Sequence, residues 1–231
     1  MSDQSQHREL FFSSMYTPEQ ARRYYDKHRS TFSRRLSHRV EERMARRALA
    51  LAGDPASVLD LPCGAGRFWP LLAERPEREL LAADYSQGML EVAKGCSPPE
   101  LARRFALVRT SAFRIGLADE AVESIFCMRL LHHIGDPADR ARMLREFHRV
   151  TAETLIVSLW VDGNWQGWRR KRLEAARASG RREYRRRYHD RFVQPRRRIE
   201  AEFRQAGFEI LGAVDFLPLW SIWRTYVLKK R

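Results

Sequence analysis

Apolar positions along the chain change their period near residue 55. Before it, Leu36, Val40, Met44 and Ala48 recur at i, i+4, the stripe of one helix face, until Gly53-Asp54-Pro55 stops the pattern. Upstream, Thr17-Pro18-Glu19 supplies an N-cap and a first-turn proline, so residues 1–52 read as a helical arm. From Ser57 onward short apolar runs alternate with helical stretches. Strands are expected at 57–61, 79–83, 105–109, 121–127 and 154–160, and helices at 66–75, 86–95 and 136–150. Such a βαβ series buries a parallel sheet between two helical layers. Pro195 to Ala206 reads as a helix ended by Gly207, with strands at 208–217 and 221–228 after it. Only a turn around Pro218 separates these two strands. They should pair antiparallel, because parallel strands need a longer crossover.

The 231 residues suit one domain, spanning 53–231 beneath the arm, with an insertion at about 161–194. No apolar run approaches the roughly 18 residues of a membrane span, and Met1 to His7 is polar, which points to a cytoplasmic protein. Cys63, Cys96 and Cys127 lie far apart, an odd number without metal-ligand spacing, so neither disulfides nor a metal site is expected.

Charge changes this picture at one place. The net charge is +14, yet residues 51–168 carry −3 while 169–204 carry 15 basic and 5 acidic groups. Fourteen arginines and Lys171, interleaved with Trp168, Tyr184, Tyr188 and Phe192, form the pattern of a surface that meets phosphates or other anions. A solvated helix face is the plain alternative.

The chemistry concentrates in Val58-Leu59-Asp60-Leu61-Pro62-Cys63-Gly64-Ala65-Gly66-Arg67-Phe68, an apolar strand entering a glycine-bearing turn and then a helix. Gly64 and Gly66 allow backbone to approach a ligand, and the helix start presents free N–H groups. Twenty-four residues after Asp60, Asp84 closes the second strand, where a carboxylate can accept ribose hydroxyl hydrogen bonds at the edge of an open sheet.

In these residues the chain resembles the class I S-adenosylmethionine-dependent methyltransferases, particularly the small-molecule group related to ubiquinone and menaquinone methyltransferases. Asp60, Gly64 and Gly66 match the first motif, and Asp84-Tyr85-Ser86 with Met89-Leu90 matches the acidic strand end and the run behind it. Ser111, Ala112 and Phe113 fall where the family meets adenine, and Cys127-Met128-Arg129 follows the fourth strand. Leu131-His132-His133-Ile134 and Arg145 to Val150 match the segments beyond it. The resemblance implies a Rossmann-like, mostly parallel seven-stranded sheet of order 3-2-1-4-5-7-6 with strand 7 antiparallel. It also implies S-adenosylmethionine as cofactor over Asp60, Gly64, Gly66, Asp84, Tyr85, Met89, Ser111, Ala112, Phe113, Met128 and Arg129. Two positions depart from the family. Pro62 replaces a glycine, so the turn holds only if that position needs neither positive φ nor a donor. Ser111 replaces an aspartate and brings no charge.

A methyltransferase needs in-line positioning and sometimes a base for the acceptor. His132, His133 and His189 are the base candidates, each with a plain reading as a turn-shaping or surface histidine. Tyr16, Tyr24 and Tyr25 on the arm could close over the cofactor or simply pack. No Asp/Asn/Ser-Pro-Pro-aromatic motif follows the fourth strand, which turns the reading from amino groups to hydroxyl, carboxyl or carbon acceptors in a small molecule, lipid or saccharide. Trp160, Trp165 and Trp168 with the arginines suit an amphipathic anion, or complete the core beside a wet charged face. The rival class is a non-catalytic copy of the fold that binds an anionic ligand, such as a cyclic dinucleotide, a lipopolysaccharide-type glycolipid or the inner membrane surface, through Arg181, Arg182, Arg185, Arg186 and Arg187. RNA modification rests on charge alone.

Overall fold

A computed structural model describes residues 19, 20, 22, 32–178 and 191–231 of the chain. Helix α1, Phe32–Leu51, carries the i, i+4 stripe, and Ala45, Ala48 and Leu49 from it are buried against the sheet. The helix start expected near Thr17, and Tyr16, Tyr24 and Tyr25, lie outside the described residues. So do Arg181, Arg182, Tyr184, Arg185, Arg186, Arg187, Tyr188 and His189.

Seven strands form one sheet: β1 Ser57–Asp60, β2 Glu79–Asp84, β3 Phe105–Arg109, β4 Val122–Cys127, β5 Thr151–Trp160, β6 Phe208–Asp215 and β7 Trp223–Lys230. Their order is β3-β2-β1-β4-β5-β7-β6. The first five run parallel, and β7 lies antiparallel between β5 and β6, as the sequence implied. Helices α2 Trp69–Leu72, α3 Gln87–Cys96, α4 Pro99–Ala102, α5 Pro137–Val150, α6 Trp165–Ala178 and α7 Arg196–Gln205 complete the described elements, with a 3₁₀ turn at Leu131–His133.

Period-two alternation divides the core between the two faces. On β5, Leu155, Val157 and Leu159 face α5 and α7, meeting Met143, Leu144, Phe147, Ile199 and Phe203. Ile156 faces the other way, into the layer of α1, α2 and α3 with Trp69, Leu72, Leu90 and Ala93. The guanidinium of Arg140, fully buried, clamps the first layer to the sheet edge. It pairs with Glu202 of α7 at 2.6 Å and donates to the carbonyls of Ile134 at 3.0 Å and Gly135 at 2.9 Å.

Three element boundaries differ from the sequence reading. The helix expected at 66–75 is only Trp69–Leu72, because Gly66 sits at φ +71° and cannot be helical, while Pro76 restrains the residue before it. β5 begins three residues early, directly out of α5, with the Thr151 hydroxyl donating to the carbonyls of Glu123 and Thr154. The last two strands are Phe208–Asp215 and Trp223–Lys230, so the connection between them is longer than the turn around Pro218 suggested. α4 was not anticipated.

Candidate cofactor and acceptor site

All five parallel strands end at one edge, so Asp60, Asp84, Cys127 and Trp160 are brought together although they are spread over a hundred residues. At this edge an open parallel sheet takes its ligands. The turn after β1 is held by its flanking amides: Leu61 N–H donates to Phe126 and Cys63 N–H to Ala83, at 3.1 and 2.8 Å. Positive φ falls on Gly64 (+53°) and Gly66 (+71°), not on Pro62, whose bond to Leu61 is cis. The proline is therefore compatible with the turn. A Cβ on Gly66 would stand 2.9 Å from the Trp69 ring, whereas one on Gly64 would meet nothing within 4 Å. Gly66 is needed for packing and Gly64 borders open space.

Asp84 ties this turn to the second strand. Its Oδ2 accepts the Gly64 N–H at 3.0 Å and its Oδ1 accepts the Ser86 N–H at 2.9 Å. Ser86 in turn caps α3, its side chain accepting the Met89 N–H. Burial raises the Asp84 pKa above the ordinary carboxylate range, against the opposing pull of the Ser86, Gly64 and Tyr85 amides. Asp60 is more extreme. It is buried, its Oδ2 has no hydrogen-bond partner, and burial followed by repulsion from Asp84 pushes its pKa well up. The nearby Trp69 indole favours the ionised form, but its Nε1 stands outside hydrogen-bond geometry. Buried polar atoms are nearly always satisfied, so an unpartnered carboxylate oxygen beside an open turn fits a site that receives a ligand's hydrogen-bond donor.

The other sequence candidates divide. Tyr85 follows Asp84, with the Arg109 guanidinium 6.0 Å from its ring centre, and Met89 in the first turn of α3 is buried against Ala65 and Val92. Ser111 uses its hydroxyl within its own loop, accepting the Phe113 N–H at 3.1 Å. The Phe113 ring turns into the core under the Arg142 guanidinium, and Ala112 packs against the same core. Met128 is buried in the other layer. Arg129 holds φ +67°, rare for a residue with a side chain, and its amide donates to Ser158 at 2.8 Å.

Sequence reasoning missed how α1 meets this edge. Glu41 of α1, nearly buried, binds Arg67 of the glycine turn at 2.7 Å and Arg129 beyond β4 at 3.1 Å. Arg67 also donates to His38 Nδ1 at 3.1 Å. Nothing in the local pattern marks this triad, because its members are far apart along the chain.

Beyond β4 and β5 the edge becomes aromatic and cationic. His132 stacks on Trp160 with centroids 5.0 Å apart and meets Trp223 edge-on at 4.9 Å. Arg129 lies over Trp223 at 4.8 Å, and Arg170 and Arg191 lie over Trp160 at 4.6 and 5.7 Å. Burial first, then the charges of His133, Arg129, Arg191 and Arg170, hold the His132 pKa well below its ordinary value. The imidazole is 1% exposed and its Nδ1 is unpartnered. His132 is thus a neutral wall of this region, with His133 beside it at 4.1 Å and less buried. His189 lies outside the described residues.

Residues 59–154 match a family described as a methyltransferase domain. Magnesium protoporphyrin IX methyltransferase from Synechocystis PCC 6803, solved with bound SAH, superposes with a TM-score of 0.68 at 13% identity, over 91% of this chain and 94% of that one. The same enzyme with bound SAM gives 0.60 at 14% identity over 87% and 85%. The chain has the fold of the class I methyltransferases. The cyclase SpnF shares this fold as well, with a TM-score of 0.59 at 16% identity over 80% of each chain, so the fold by itself does not fix a reaction. No curated protein sequence matches the chain.

Proposed function

We propose that this chain is an S-adenosylmethionine-dependent methyltransferase whose acceptor is an anionic small molecule, lipid or saccharide, methylated on oxygen or carbon. S-adenosylmethionine is the cofactor, and when bound it supplies an electrophilic methyl group. The observation that carries this reading is the Gly64–Asp84 hydrogen bond beneath open space, with the unpartnered Asp60 oxygen beside it. Asp84 and the Gly64 turn would hold the ribose and amino-acid ends, and Tyr85, Met89, Ser111 and Ala112 would line the adenine side, as the resemblance implies.

The acceptor class follows from the other half of the edge. Arg129, Arg170 and Arg191 stand over the two indoles around His132, an arrangement that favours a flat or amphipathic anion. A base must hold the proton it removes, and burial with the neighbouring cations makes His132 a poor proton acceptor. An acceptor that arrives already ionised needs no base from the protein, only orientation and exclusion of water. The +10 charge of residues 169–204 agrees with that class.

Calorimetric titration of the full chain with S-adenosylmethionine and S-adenosylhomocysteine, beside Asp84→Ala, tests the cofactor. Binding that the variant loses while its circular dichroism is unchanged supports the site, and unchanged affinity sinks it. Folded wild-type protein that binds neither compound would leave the non-catalytic, anion-binding reading. A methyl-transfer screen of carboxylates, phosphorylated glycolipids and their neutral analogues then tests the acceptor. Preference for the neutral analogues would overturn the anionic class.

A further inference from the structure

The connection between β6 and β7 is apolar where a hairpin loop is ordinarily polar. Leu217, Pro218, Leu219 and Trp220 are four consecutive exposed residues, and Leu219 is 84% exposed. Leu219 also holds φ +62°, a conformation unfavourable for a bulky side chain. The loop is nevertheless fixed in place. The Trp165 N–H donates to the Leu219 carbonyl at 2.9 Å and the Gln166 N–H to Trp220 at 3.1 Å, joining the loop to the first turn of α6. The Trp220 ring stacks on Trp165 at 4.4 Å, nearly parallel. Trp168, 54% exposed, continues the surface along the helix.

The rim is cationic. The Arg169 guanidinium lies 5.4 Å from the Trp165 ring centre and that of Arg172 4.7 Å from Trp168. Two described acids beside these segments are paired, Asp162 with Lys171 at 2.6 Å and Asp215 with Arg224 at 2.6 Å. Exposed apolar patches of this kind mark interaction sites. Tryptophan and leucine tips inside an arginine rim match one partner better than others. Indoles favour the boundary between headgroups and acyl chains, and guanidinium groups favour anionic headgroups. A second copy of the same patch would bring the two arginine rims together, a repulsive arrangement for a self-complementary contact.

We propose that the loop 216–220 and the first turns of α6 form a docking surface for an anionic lipid bilayer, with Leu219, Trp220 and Trp168 entering the interface. No described helix is long and apolar enough to cross a membrane, so the contact is peripheral. β6 runs parallel to β5, both antiparallel to β7, so this loop leaves the sheet at the same edge as Trp160. The docked face therefore adjoins the arginine and tryptophan region around His132. The inference stands whether or not the chain transfers methyl groups.

Vesicle flotation of the full chain tests it, with phosphatidylcholine alone and with three parts phosphatidylcholine to one part phosphatidylglycerol. The expected result is binding to the mixed vesicles, weakened by salt, with tryptophan emission quenched by brominated acyl chains. Trp168→Ser with Leu219→Ser, folded by circular dichroism, should lower the affinity about tenfold and remove most of the quenching. Binding and quenching that this variant retains, or absence of vesicle binding by wild type, overturns the proposal. A wild-type dimer in sedimentation equilibrium that the same variant dissociates would assign the patch to a second copy and overturn it too. Single replacement of Leu219 by Ser gives the same reading if the double variant does not fold.

Discussion

The amide of Gly64 donates to the Asp84 carboxylate across 3.0 Å, so the turn after β1 and the end of β2 behave as one hydrogen-bonded unit. Gly64 and Gly66 carry different duties within it. Alanine at 64 meets no atom and costs only its left-handed backbone, about 1–2 kcal/mol. Alanine at 66 meets the Trp69 ring at 2.9 Å as well, for roughly 1–3 kcal/mol more. Chemical denaturation should rank Gly66→Ala below Gly64→Ala in stability. Calorimetry should show that Gly64→Ala, still folded, loses cofactor affinity because its methyl occupies the ligand's space. The reverse ranking would refute the division.

Asp60 is a stability cost retained in a buried site. Its pKa is raised on folding, so the folded chain holds a proton more tightly than the unfolded one, and stability falls as pH rises from the ordinary carboxylate range toward the folded value. Asp60→Asn cannot ionise and should therefore be more stable at neutral pH by about 1–3 kcal/mol, because a buried amide costs less to desolvate than a buried carboxylate. A rise of roughly 2–10 °C in Tm follows. Cofactor affinity should fall in the same variant. A lower Tm would mean that the carboxylate has a stabilising partner in the free protein.

His132 works in the opposite direction. Its pKa is lowered on folding, so the unfolded chain takes up a proton first as pH falls below about 6.5, and acid erodes stability at up to about 1.4 kcal/mol per pH unit. His132→Gln should flatten the stability profile below that pH while leaving its neutral limb in place. The pH profile of kcat/KM in wild type should show no titration near 6.5 from this residue. An ascending limb there, absent in His132→Gln, would restore His132 as a base.

Glu41 joins the arm to the site by two ion pairs, to Arg67 and Arg129. Glu41→Gln removes the charge that both guanidinium groups face and should cost about 2 kcal/mol, the scale of hydrogen bonds to charged groups. Arg129 alone replaced by Met should cost less, because Glu41 keeps Arg67. Thermal denaturation of the two single variants and the double measures the coupling, and additive losses would show that the triad does not act as a unit.

Much of the fold was legible because the signals are local. The change from i, i+4 to short apolar runs gives the elements and their order, and glycine and aspartate at the strand ends mark the turn after β1 and the close of β2. Phe113 shows the limit of motif position. It falls where adenine is expected, yet its ring is drawn into the core, where an aromatic gains more by burial under Arg142. The shortened α2 was also present in the letters, in Gly66 and Pro76, but only the backbone angle at Gly66 shows that the helix cannot begin there.

By itself the sequence determined a parallel α/β sheet with an antiparallel end, a glycine turn after β1, the acid at the end of β2 and a basic stretch after β5. Periodicity, turn chemistry and charge are properties of neighbouring residues, so they survive in one dimension. Only the tertiary structure decided that Glu41 meets Arg129, 88 residues away, that Arg140 is buried against Glu202, and that the loop 216–220 packs its tryptophan on α6. Such contacts depend on which faces and edges meet once the sheet has closed, and no local pattern records the partner of a side chain across that distance.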